Sequence, residues 1–184
     1  MSGKSPDRLA RFSVFATLGI LGTTQELAQV SVRGMAGADP EVVAEETLSL
    51  VSVTTARAAE VGLKQDQALS ETAVPALYDL PFIYRDYLIG GAMILDQDAS
   101  MLDESEDVYQ RLQRKQDFYA AHFPQGTFPA EAALTDKMEL WMGRISPPSL
   151  PKSPSERLHD LDVVSILLTH LKLVLAFGRR GFTE

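Results

Sequence analysis

Ser153-Pro154-Ser155-Glu156-Arg157-Leu158-His159-Asp160-Leu161-Asp162-Val163-Val164-Ser165-Ile166-Leu167-Leu168-Thr169-His170-Leu171-Lys172-Leu173-Val174-Leu175-Ala176-Phe177-Gly178 settles the class of architecture. Its first four residues spell a capping box with proline at the first helical position, so a helix opening there has its orphan amide donors satisfied. Leu158, Leu161, Val164, Leu168, Leu171 and Leu175 fall on one broad arc of a 3.6-residue period. Val163, Ile166, Leu173 and Phe177 fall nearly opposite, and only Asp162, Ser165, Thr169 and Lys172 keep a polar strip between the arcs. A helix apolar on two sides is either the middle of a bundle or packs one face on a partner. Gly178 reads as its stop, with Lys172, Arg179 and Arg180 near the negative end of the dipole.

Helical signals repeat along the rest of the chain. Ser5-Pro6-Asp7 opens a helix expected to reach about Arg33, and Asp39-Pro40-Glu41 opens a second, with Gly62 before Leu63 read as a Schellman cap. Ser49 to Thr55 is β-branched enough to pass for a strand, but the caps and the spacing of Val43, Leu50, Val51, Thr54, Ala58 and Val61 favour helix. A short helix from Asp66 is expected to be interrupted at Pro75, with a fresh start at Pro81. Phe82 to Leu95 is apolar almost all round and reads as a buried helix, with Gly90-Gly91-Ala92 as a close crossing. Two more helices follow, from Asp103 to Pro124 and from about Pro129 to Ile145, the former with an Asp107–Arg111 pair one turn apart. Pro147, Pro148, Pro151 and Pro154 make residues 146–154 a Pro-rich linker, expected to be extended. The expectation is an all-α, single-domain bundle over residues 1–184, of six to seven helices, with those at about 81–95 and 154–177 central.

Composition narrows the function classes. With 184 residues the chain is long enough to bury roughly 70% of its unfolded surface in one core. The net charge of -8 and scattered Lys and Arg argue against a nucleic-acid surface and against adhesion to anionic membrane. The absence of cysteine removes disulfides, thiolate metal sites and a cysteine nucleophile, and makes the cytoplasm the expected compartment. Lys4, Arg8 and Arg11 before the apolar run 12–22 imitate a secretory leader, but no small-x-small cleavage pattern follows at once, and a buried first helix is expected.

The residues able to carry chemistry are few. Glu156-Arg157-Leu158-His159 is half of the Glu-x-x-His signature of di-metal bundles, without a second copy. His159 and His170 share a side of a continuous last helix, but eleven residues put them about 16 Å apart along its axis, too far to share one ion. His122 followed by His159-Asp160 resembles in part the pattern of the metal-dependent His-Asp phosphohydrolases, which closes with a further downstream aspartate; the last one here is Asp162. Asp96-Gln97-Asp98 imitates the opening of a calcium loop but has Met101 where glycine is required. No metal and no cofactor is therefore expected. The leading expectation is a non-enzymatic module that self-associates through Val163, Ile166, Leu173 and Phe177 of the last helix. The competing expectation is a metal-dependent hydrolase or small-ligand-binding bundle, with His122, His159, Asp160 and His170 as the candidate residues and Tyr84, Tyr87 or Tyr119 as polar tips.

Overall fold

The computed structural model describes residues 6–86, 103–128 and 131–180. The described residues hold helices and no strand: α1 Pro6–Gly34, α2 Pro40–Gly62, α3 Gln67–Tyr78, α4 at residues 80–86, α5 Asp103–His122, α6 Glu131–Ile145, α7 Pro154–Asp160 and α8 Val163–Arg180. The all-α class follows. The starts are set by the capping residues: the Asp39 carboxylate accepts from the amides of Glu41 and Val42, Asp66 from Leu69, and Ser153 with Glu156 closes the capping box. The glycine run after α1 turns at Gly37, whose φ of 82° lies in the left-handed region open to glycine. α3 passes through Pro75 rather than stopping there. Pro75 and Glu71, whose carbonyl loses its donor, are both exposed, so water can take that bond.

α2 is the central element. Every residue from Glu46 to Ala59 is buried, and α1, α3, α5, α6 and α8 all pack on it. Small side chains let neighbours approach on all sides, and hydroxyls bond back to the preceding turn: Thr47 to the carbonyl of Val43 at 2.5 Å and Thr54 to that of Leu50 at 2.8 Å. The expected pair of central helices is thus corrected in part. α8 does lie against α2, but the middle position belongs to α2; of the 81–95 helix only residues up to 86 are described, and Gly90-Gly91 and Asp96 to Met101 lie outside the described residues.

The last helix is two helices, which raises the count to eight described helical segments. α7 and α8 meet at 69° across Leu161-Asp162, with Asp162 at a φ of 49°, a left-handed conformation that aspartate tolerates. The break re-aims Leu158 relative to the residues of α8. On a straight helix Leu158 and Val163 would point about 140° apart; across the elbow both are buried in the same core.

Gly178 does not stop α8, and Gly62 does not take the left-handed φ of a Schellman cap. The two glycines instead form the crossing of α2 and α8: a Cβ on Gly178 would stand 2.9 Å from the carbonyl carbon of Gly62. Gly178→Ala should therefore lower stability by about 2 kcal/mol through overpacking. Gly22→Ala, where a Cβ meets nothing within 4 Å, should raise it by about 1 kcal/mol. Opposite signs in urea unfolding check the pair; a stabilised Gly178→Ala would contradict the crossing.

Residues 146–154 are not simply extended. The amide of Leu150 donates to the carbonyl of Pro147 at 3.2 Å, closing a turn, and Arg157 of α7 donates back to the carbonyl of Lys152. The proline spacing is used to fold a tight return into α7.

Candidate functional site

The elbow opens a cleft of about 540 Å³ between three helices. α6 contributes Glu131 and Thr135, α7 contributes Ser155 and His159, and α8 contributes Ser165, Thr169 and Lys172, each set at one-turn spacing; Asp162 stands at the junction. Its floor is apolar, from buried Leu158 and Leu168 with half-buried Val164. Hydroxyls, two acids and two bases, nearly all exposed, thus stand over an apolar floor.

The four histidine and aspartate candidates are dispersed. His159 is exposed in this cleft, and Asp160 turns away to Lys152, 2.5 Å from its ammonium. His122 lies at the end of α5, its Nδ1 2.7 Å from the carbonyl of Phe118 and its ring against that phenyl. His170 is buried on the opposite side of α8, where its Nε2 shares a 2.7 Å hydrogen bond with the Thr55 hydroxyl and its ring packs against Gly19. The bend therefore separates His159 and His170, which a straight helix would align. No group of three or more His, Asp or Glu able to hold a metal ion occurs among the described residues. Burial pushes His170 down to about 4, so its imidazole is neutral at physiological pH.

A buried charged network lies between α2, α5 and α6. The Glu46 carboxylate accepts from Tyr119 Oη at 2.7 Å and from Arg144 Nε and a terminal Arg144 nitrogen at 2.7 Å each, with Lys115 Nζ 3.4 Å away. Glu45 accepts from Arg111 at 2.9 and 2.7 Å and from Lys115 at 2.7 Å. Burial opposes ionisation of Glu46, but the bonds from Arg144 and Tyr119 and the Lys115 charge outweigh it and hold the carboxyl below its usual range; Glu45 behaves alike with Arg111 and Lys115. Burial, then the Glu46 charge, raises the Tyr119 phenol well above its ordinary value. Arg111 thus serves an interhelical bond to Glu45, rather than chiefly the Asp107 partner expected on its own helix. These donors and acceptors satisfy one another, which is what a structural network requires.

The last helix's second apolar arc is largely used inside the chain. Val163 is fully buried, Ile166 and Phe177 are half-buried, and the Phe177 ring stacks on Phe15 at 4.0 Å and on Phe12 at 6.4 Å. Leu173 alone of the four is openly exposed, at 55%. The larger uncovered apolar surface is on α1, where Val14 and Leu18 are 58% and 64% exposed. They continue, at spacings of four and three, into Leu21, Gln25 and Ala28, which line a second, mainly apolar groove with Leu48, Pro81, Tyr84 and Leu112. Tyr87 lies outside the described residues. No single helix among the described residues is long and apolar enough to cross a membrane. No protein-family model matches the chain, and neither a curated protein nor a solved structure matches it.

Proposed function

We propose that the chain is a self-associating helical module in which α1 pairs with α1 of a second copy. The observation that carries this reading is the ridge of Val14 and Leu18, exposed on a 29-residue helix whose opposite side supplies Phe12, Ala16, Ile20 and Leu27 to the core. Val14 and Leu18 stand one turn apart, the spacing of neighbours on one helix face. A two-fold axis between Val14 and Leu18 makes the contact self-complementary, and the antiparallel arrangement opposes the two dipoles. The interface expected from the sequence on Val163, Ile166 and Phe177 moves accordingly, because α1 and the core already occupy those residues.

Leu18→Asp should convert a dimer into a monomer in sedimentation equilibrium with unchanged helical content, while Leu173→Asp should leave it dimeric. A wild-type chain that sediments as a monomer, or a Leu18→Asp chain that stays dimeric, contradicts the reading.

A further inference from the structure

The elbow cleft carries a second inference, independent of association. Asp162, Ser165, Thr169 and Lys172 follow one another at spacings of three, four and three, and all four line the cleft. Their backbone positions span about 15 Å, from Asp162 just before α8 to Lys172 on it, with an acid at one end, a base at the other and two hydroxyls between. No ion pair among the described residues joins Asp162 or Lys172 to another side chain. Across the cleft, Thr135 and Ser155 add hydroxyls, Glu131 and His159 add a second acid and base, and the buried Leu158 and Leu168 supply an apolar floor.

A ligand answering this row must bear a positive and a negative group at a matching separation, hydrogen-bonding groups between them, and small apolar surface beneath. An extended peptide rises about 3.4 Å per residue, so a chain of about four residues with both termini free spans the row. We propose that the elbow cleft binds a short peptide of about four residues, its terminal ammonium on Asp162 and its terminal carboxylate on Lys172. Ser165 and Thr169 meet the peptide backbone, and the apolar floor takes small side chains. The cleft volume of about 540 Å³ is within the usual range for ligand sites. Charge at the two ends, rather than side-chain identity, then sets selectivity.

The test is an amide-resolved NMR titration of the full chain with tetra-alanine carrying free termini. Shifts confined to the elbow and the cleft-facing side of α8 are expected. Acetylated and amidated tetra-alanine, and dialanine with free termini, should each bind at least about tenfold more weakly, as should Asp162→Asn and Lys172→Met with the free tetrapeptide. Asparagine also tolerates the left-handed backbone at position 162, and both residues are exposed, so the folded spectrum is retained. An absence of cleft shifts at about 10 mM tetra-alanine overturns the proposal. Equal binding of the blocked peptide or of dialanine, or full binding by either variant, overturns it as well.

Discussion

Glu46→Ala is expected to lower the free energy of unfolding by about 4 kcal/mol, because it removes one side of a buried charged network and strands the other. The Glu46 side chain is only 4% exposed and that of Lys115 only 7%. Without the carboxylate, Arg144 loses both of its bonds, the buried Tyr119 hydroxyl loses its acceptor, and Lys115 keeps only Glu45. Glu46→Gln should cost less, since an amide oxygen still accepts from Tyr119 or Arg144. Glu45→Ala should cost about 2 kcal/mol, because Arg111 is 41% exposed and can be rehydrated, whereas Lys115, 7% exposed, loses its closer partner at 2.7 Å and keeps Glu46 at 3.4 Å. Urea unfolding of the three variants gives the ranking. A loss below about 1 kcal/mol for Glu46→Ala would mean that water reaches the network and that it does not tie α2 to α5 and α6.

The second large effect is on acid stability. His170 titrates at about 4 in the folded chain against 6.5 for the free side chain, so the unfolded chain takes up the proton first on acidification. Its contribution is complete above pH 6.5 and is lost as the pH falls from 6.5 towards 4, by about 3 kcal/mol in all. Glu45 and Glu46, both held below the usual carboxylate value of 4.5, add a loss that sets in as the unfolded chain's carboxylates take up protons near that pH and is complete once the folded ones protonate. His170→Gln, which can still bond Thr55, should flatten the pH 4 to 6.5 limb and leave the lower limb in place. Histidine NMR should show His170 neutral at pH 5. A His170 resonance titrating near 6.5, or an unchanged slope in the variant, would contradict the buried geometry.

What was legible in the sequence was local. Asp39, Asp66 and Ser153 announce helix starts because their side chains bond amides two or three residues away, and those contacts are present. What was hidden depends on distant parts of the chain. Thr47, Ser49, Ser52, Thr54 and Thr55 count as polar in the sequence, yet their small size suits them to the middle of a bundle, where Thr47 and Thr54 bond back within the helix and Thr55 bonds His170. Glu45, Glu46, Lys115 and Arg144 each resemble an ordinary solvated helix charge, and only the meeting of α2, α5 and α6 makes them a network. A signal did exist, since Glu46 stands directly before the ten-residue run Thr47 to Ala56, which holds only small and apolar side chains. The elbow carries no sequence signal of the usual kind, because a single left-handed aspartate interrupts the helix without proline or glycine. Both apolar arcs of the last helix lie largely on α8, whose buried face of Val163, Leu167, Leu171 and Val174 runs between them and leaves Leu173 exposed.

Because the chain has no cysteine, Gly22→Cys supplies a single spin-label site on the open side of α1. Residue 22 lies about 9 Å along the helix from the proposed two-fold axis, and packed helix axes are about 9 Å apart, so the two Cα atoms should stand about 20 Å apart. Double electron–electron resonance on the labelled chain should give one intermolecular distance consistent with that separation and lose it in the Leu18→Asp background. No intermolecular coupling, or a distance unaffected by Leu18→Asp, would contradict pairing through α1.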